Sequence, residues 1–156
     1  LGLDAQGLGF LMSVGALGAA ISTVCITAMP DVDNKGKLVV YGLFGFGFGL
    51  ITFAFSDVLL LSMILLAFAY GSGVIYESGL STLLQTSVPD GMRGRVLSCQ
   101  SLCWGFSGSA GFHAGAIAAI LGAPIAVAAG GAVVIINAIR IAKNMIRIGA
   151  KVASGK

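Results

Sequence analysis

The chain has 156 residues, 57% of them hydrophobic and 24 of them glycine, and only 10% carry formal charge: nine Lys or Arg and six Asp or Glu. Soluble domains hold about 25% charged residues, so a chain with a mean hydropathy of +1.00 lacks the polar surface to coat a water-soluble globule. A soluble enzyme, a secreted disulfide scaffold or a disordered tail is not expected of this composition, and the net charge of +3 marks no nucleic-acid partner because the basic residues flank apolar runs.

Lipid is therefore the expected solvent. A membrane-crossing helix takes about 20 apolar residues, and five such runs are expected, near 8–29, 38–55, 58–86, 96–121 and 124–139. The first follows Leu1 to Gln6, where neither a charged segment nor a small-residue cleavage site announces a signal peptide. The second and third meet at Phe55-Ser56-Asp57, and the fourth and fifth at Leu121-Gly122-Ala123-Pro124. A basic amphipathic tail, 140–156, is expected to follow, with Arg140, Lys143, Arg147 and Lys151 on one face along the lipid headgroups.

Charge fixes the orientation. Every Lys and Arg falls in one of three places: Lys35 and Lys37; Arg93 and Arg95; or the run from Arg140 to Lys156. Each intervening stretch has room for two crossings and a turn, so all nine basic residues lie on one side. The positive-inside rule makes that side cytoplasmic, with the N-terminus outside and the C-terminus inside a cell membrane. The continuous apolar runs do not alternate as β-barrel strands would.

Glycines punctuate the spans: Gly15 and Gly18 in the first, Gly42, Gly45, Gly47 and Gly49 in the second, Gly105, Gly108, Gly111 and Gly115 in the fourth. They read as grooves that let helix backbones approach in lipid. They do not form a nucleotide site, since neither GxGxxG nor a Walker pattern is met. Cys25, Cys99 and Cys103 sit in apolar runs, and Cys99 and Cys103, four apart on one helix face, read as packing residues. No metal site, cofactor or enzymatic machinery is expected.

Two ionisable residues fall inside the spans. Glu77 lies about 30 Å along the third span from Asp57, and reads either as a proton-coupling or substrate-facing residue or as an interfacial acid paired with Arg93 or Arg95. His113, about 27 Å beyond Arg95, reads as a buried, hydrogen-bonded histidine with coupling as the alternative. Gln85, Gln100, Ser98, Ser101 and Asn137 are further polar candidates for substrate or helix contacts.

The most specific string runs from Leu84-Gln85-Thr86 through Val88-Pro89-Asp90 to Arg93-Gly94-Arg95-Val96, where Pro89 ends the third span, Asp90 is placed to cap the turn and the arginines sit at headgroup level. It resembles the cytoplasmic loop between the tenth and eleventh helices of major facilitator superfamily transporters, closest to the branch with the enterobactin exporter and transmembrane secretion effectors. Asp33-Asn34-Lys35-Gly36-Lys37 is similar to the D-R-x-G-R core of that family's signature loop, with Asn34 in place of its arginine.

The resemblance implies an all-α membrane protein whose five helices form most of the C-terminal six-helix half of the fold, helices eight to twelve. It makes Asp33, Lys35, Gly36, Lys37, Pro89, Asp90, Arg93, Gly94 and Arg95 parts of gating loops. The implied function is ion-gradient-driven export of small molecules of drug or siderophore type, by alternating access. Its partners would be membrane lipids, the missing N-terminal half, a small-molecule substrate and a proton or other coupling ion. The competing expectation is a small membrane protein with a structural or assembly role, built on glycine-packed helices.

Overall fold

The computed structural model describes residues 5–28 and 35–154, and among them it contains five α-helices and no strand. They are α1 (Ala5–Ala28), α2 (Lys35–Ala54), α3 (Leu59–Ser87), α4 (Asp90–Leu121) and α5 (Ala123–Ser154). The described residues thus form an all-α structure, as expected. Four helices are long and apolar enough to cross a membrane, over Gly9–Ala28, Gly36–Ala54, Leu59–Thr86 and Ala123–Asn144. The helix expected as the fourth span, α4, is the least apolar of the five and is not one of these four.

The breaks between helices have local causes. After Ala54 the chain turns through Phe55 to Val58. Ser62 Oγ, fully buried, donates to Ser56 Oγ at 3.0 Å and ties the start of α3 back to the turn. At the other end of α3 only Val88 and Pro89 interrupt the helical path. Val88 is extended (φ −97°, ψ 130°), as a residue before proline prefers to be. Pro89 supplies the N-cap of α4 with no side-chain cap bond. Asp90 was expected to cap this turn and the helix to begin near 96. Instead Asp90 is the first residue of α4, where its charge meets the positive end of the helix dipole. Between α4 and α5 stands Gly122 alone, at φ 90°, a conformation that disfavours any side chain. Pro124 follows in the first turn of α5, where its missing N–H breaks no bond.

From Ala123 the last helix runs unbroken to Ser154. The stretch expected as a separate basic tail from 140 therefore extends the fifth helix itself, because no proline or turn signal interrupts Arg140-Ile141-Ala142-Lys143.

Packing follows the glycines. Helix α3 lies between α1 and α2, α2 also packs on α5, and α4 leans on α5 while barely meeting α3. Along α2 and α3 the close pairs are Gly42 with Tyr76, Gly45 with Ser72 and Gly49 with Ala69, an antiparallel register. A Cβ on Gly42 would stand 2.6 Å from the Tyr76 backbone nitrogen, so only glycine permits the observed approach. Gly18 sits against the Ala67 backbone of α3, and Gly71 against Ser22. Gly47 and Gly131 face each other across α2 and α5, where a Cβ on Gly131 would stand 2.8 Å from the Gly47 carbonyl oxygen. Beside this contact Val39, Leu43 and Ala138 form a small buried cluster with Phe44, Tyr76, Leu80 and Val134 around it.

Outside that core the apolar surface faces outward. Phe10, Ile21, Tyr41, Phe48, Leu60, Phe112 and Ile120 are all exposed, the last at 82%, an arrangement that suits hydrocarbon and not water. Hydroxyl side chains answer the same solvent by bonding within their own helices, as Thr23 does to the Ala19 carbonyl at 2.9 Å and Thr82 to that of Ser78 at 2.8 Å.

Candidate functional site

The face of α3 that carries Gly73, Tyr76, Glu77 and Leu80 follows helical spacing, so these four residues look the same way. Two open clefts flank that face. One, of about 460 Å³, lies between α3 and α4 and is lined by Tyr76, Glu77, Leu80, Gln100, Cys103 and Trp104. The other, of about 470 Å³, lies between α2 and α3, where Phe46 and Leu50 stand opposite Tyr70, Gly73, Val74, Tyr76 and Glu77. Tyr76 and Glu77 line both.

Glu77 lies inside the Leu59–Thr86 span, about 14 Å along the helix from Thr86. It is half-buried, and among the described residues it has no ion-pair partner. The expected pairing with Arg93 is not formed. Arg93 Nη2 meets Asp90 Oδ1 at 2.9 Å, three residues back in its own helix, with both groups exposed. Arg95 has no ion-pair partner among the described residues.

Gln100 is the polar candidate that the structure brings to Glu77. Its Nε2 donates to Ser81 Oγ at 3.2 Å across α3 and α4, a bond that does not use the amide oxygen, and Gln100 lines the cleft. Ser98 and Ser101 bond to carbonyls of their own helix, and Asn137 Nδ2 donates to the Val133 carbonyl at 3.0 Å. Gln85 is exposed near the end of α3 and lines neither cleft.

His113 was expected to be buried; it is exposed on α4 and lines neither cleft. Its Nδ1 lies 2.7 Å from the Ser109 carbonyl oxygen, so that nitrogen carries a proton, and its ring meets Phe112 edge-on at 6.3 Å. Of the proposed gating residues, Pro89, Asp90, Arg93, Gly94 and Arg95 are all exposed around the start of α4. Gly36 is buried and Lys37 exposed at the start of α2, where Lys35 begins the helix. Asp33 lies outside the described residues.

Tyr76, Ser81 and Trp104 belong to the site although sequence reasoning singled out none of them. The signal that could have found the first two is helical spacing, three and four residues from Gly73 and Leu80 for Tyr76, and four residues from Glu77 for Ser81. Among the described residues no group of His, Cys, Asp or Glu is placed to hold a metal ion, and Cys25, Cys99 and Cys103 are free and exposed. Comparison of the chain with models of known protein families, with curated proteins and with solved structures returns no match.

Proposed function

We propose that the chain forms part of a secondary active transporter of major facilitator type, an ion-gradient-driven exporter of small molecules with the basic helix ends in the cytoplasm. The observation that carries this reading is Glu77, a carboxylate held inside an apolar span yet turned to two clefts between helices. Placing such a group at a helix centre in lipid costs about 2.5 to 3.5 kcal/mol, a cost with a use when the group moves protons or meets a substrate. The resemblance at Leu84 to Val96 supports it from the other side, through the break that joins α3 to α4, the two helices that wall one of these clefts. In this reading the break lies at the cytoplasmic gate, and α4 is a fifth crossing.

The test is accumulation of one cationic, one neutral and one anionic fluorescent dye in cells carrying the native gene, with and without a protonophore. Deletion should raise accumulation of at least one dye, Glu77→Gln should reproduce the deletion, and the protonophore should erase the difference. Transport is ruled out if deletion alters none of them, and Glu77 loses its role if Glu77→Gln behaves as wild type.

A structural or assembly role is favoured by a different observation: a Cβ added at Gly105, Gly111 or Gly115 of α4 would meet open space. A passive scaffold of this kind would insert and pack normally without Glu77.

A further inference from the structure

We propose that the cleft between α3 and α4 binds a monovalent organic cation with apolar arms, and rejects the matching anion. The inference rests on the transporter reading and names the substrate class of the same site. It starts from the lining. Among the described residues that line the two clefts, Glu77 is the single carboxylate and none is Lys, Arg or His. An anion placed beside Glu77 would meet a like charge with no basic side chain among the described lining residues to offset it. A cation would meet the carboxylate, the Gln100 amide oxygen, which the Ser81 bond does not use, and the Tyr76 phenol oxygen.

The walls suit such a cation in two further ways. Trp104 and Tyr76 present aromatic rings in the same cleft, and ring faces attract positive charge most strongly where water is excluded. The remainder of the lining, Leu80 and Cys103, is apolar, and a volume of about 460 Å³ lies in the range that holds a drug-sized molecule. Of the drug and siderophore types raised by the sequence, this chemistry selects a cationic drug-like molecule over an anionic chelator.

The chain supplies its own reporter. Trp104 is the single tryptophan of the sequence and lines the cleft, so its fluorescence reports from the cleft wall, and the Glu77 dependence separates cleft binding from contact at its exposed side. The experiment titrates the purified chain, in nanodiscs of phosphatidylcholine, with tetraphenylphosphonium and separately with tetraphenylborate, ions of matched shape and opposite charge, and subtracts the shift seen with free tryptophan in empty discs. Tetraphenylphosphonium should give a saturable change in Trp104 emission. Its half-saturation should rise about tenfold or more in Glu77→Gln and stay within about threefold in Glu77→Asp, which keeps the charge and controls for misfolding. Tetraphenylborate should give no saturable change that depends on Glu77. Equal responses to the two ions, no saturable response to the cation, or an unaltered Glu77→Gln titration overturns the proposal. Cation binding without efflux in cells would leave this site standing and remove the transport reading. Glu77-dependent efflux with no preference between the two ions would do the reverse.

Discussion

At Gly42 the cost of a single methyl group can be read from the packing. Its added Cβ would press on the Tyr76 backbone, which cannot move without parting α2 from α3. Gly42→Ala is expected to destabilise the bundle by about 1 to 3 kcal/mol, the usual range for an overpacked core. Gly111→Ala is the matched control, because a Cβ there meets nothing; it should be neutral or raise stability by up to about 1 kcal/mol through helix propensity. Unfolding of the purified chain in mixed micelles, followed by far-ultraviolet circular dichroism against rising sodium dodecyl sulfate, measures both. Equal effects of the two substitutions would mean that the α2–α3 contact does not hold the bundle. The sequence marks all these glycines as packing positions because small residues have few other uses in lipid. Which of them have a partner depends on helix rotation and neighbour order, and those are tertiary quantities. Ser62 escaped notice for the same reason: its burial comes from the turn folding back over it, not from its spacing.

Helix existence was legible from apolar runs and from the breaks at Phe55-Ser56-Asp57, Pro89 and Gly122, since each break has a chemical cause in the residue itself. The ends were less so. Helix α4 begins at Asp90 because a proline N-cap and a first-turn acid allow an earlier start than the apolar run suggests. Helix α4 is where the expected crossings and the apolar helices part, since Gln100, Ser101, Trp104, Ser109 and His113 dilute its apolar character. With Cys25, Cys99 and Cys103 replaced by alanine, single cysteines at Asp57 and Ala123 should react with a membrane-impermeant maleimide on intact cells. Cysteines at Lys37 and Gly94 should react only after permeabilisation. Ala123 is the choice at the second turn because Gly122, at φ 90°, would be strained by any side chain. Labelling of Ala123→Cys only from inside would remove α4 from the set of crossings. The gate assignment makes a separate demand on the start of α4. Lysine keeps the charge that fixes topology but loses the planar fork of the guanidinium, so Arg93→Lys and Arg95→Lys should leave abundance unchanged while lowering efflux severalfold. Normal efflux in both variants would reduce these arginines to topology anchors.

Considered whole, the five helices do not close around Glu77. Helix α4 rests on α5 and scarcely meets α3, so the cleft that Glu77 shares with Trp104 stays open on one side, and Phe106 and Phe112 stand exposed at 73% and 80%. In the proposed reading a substrate would rest against one wall of such a site, with nothing opposite to move. Alternating access needs two repeats that rock around a common midplane site, and in the proposed reading this chain supplies one of them. The purified chain reconstituted alone into vesicles is therefore expected to bind at the cleft but to show no saturable, gradient-driven flux of a tetraphenylphosphonium tracer under an imposed proton gradient. Vesicles that bear the chain and empty vesicles should fill at the same rate, and Glu77→Gln should change nothing in this assay. A saturable flux that vanishes with Glu77→Gln would overturn the one-repeat reading. The open side of the cleft would then have to be closed by a second copy of the chain, and flux should rise with the square of chain density at low density rather than in proportion to it.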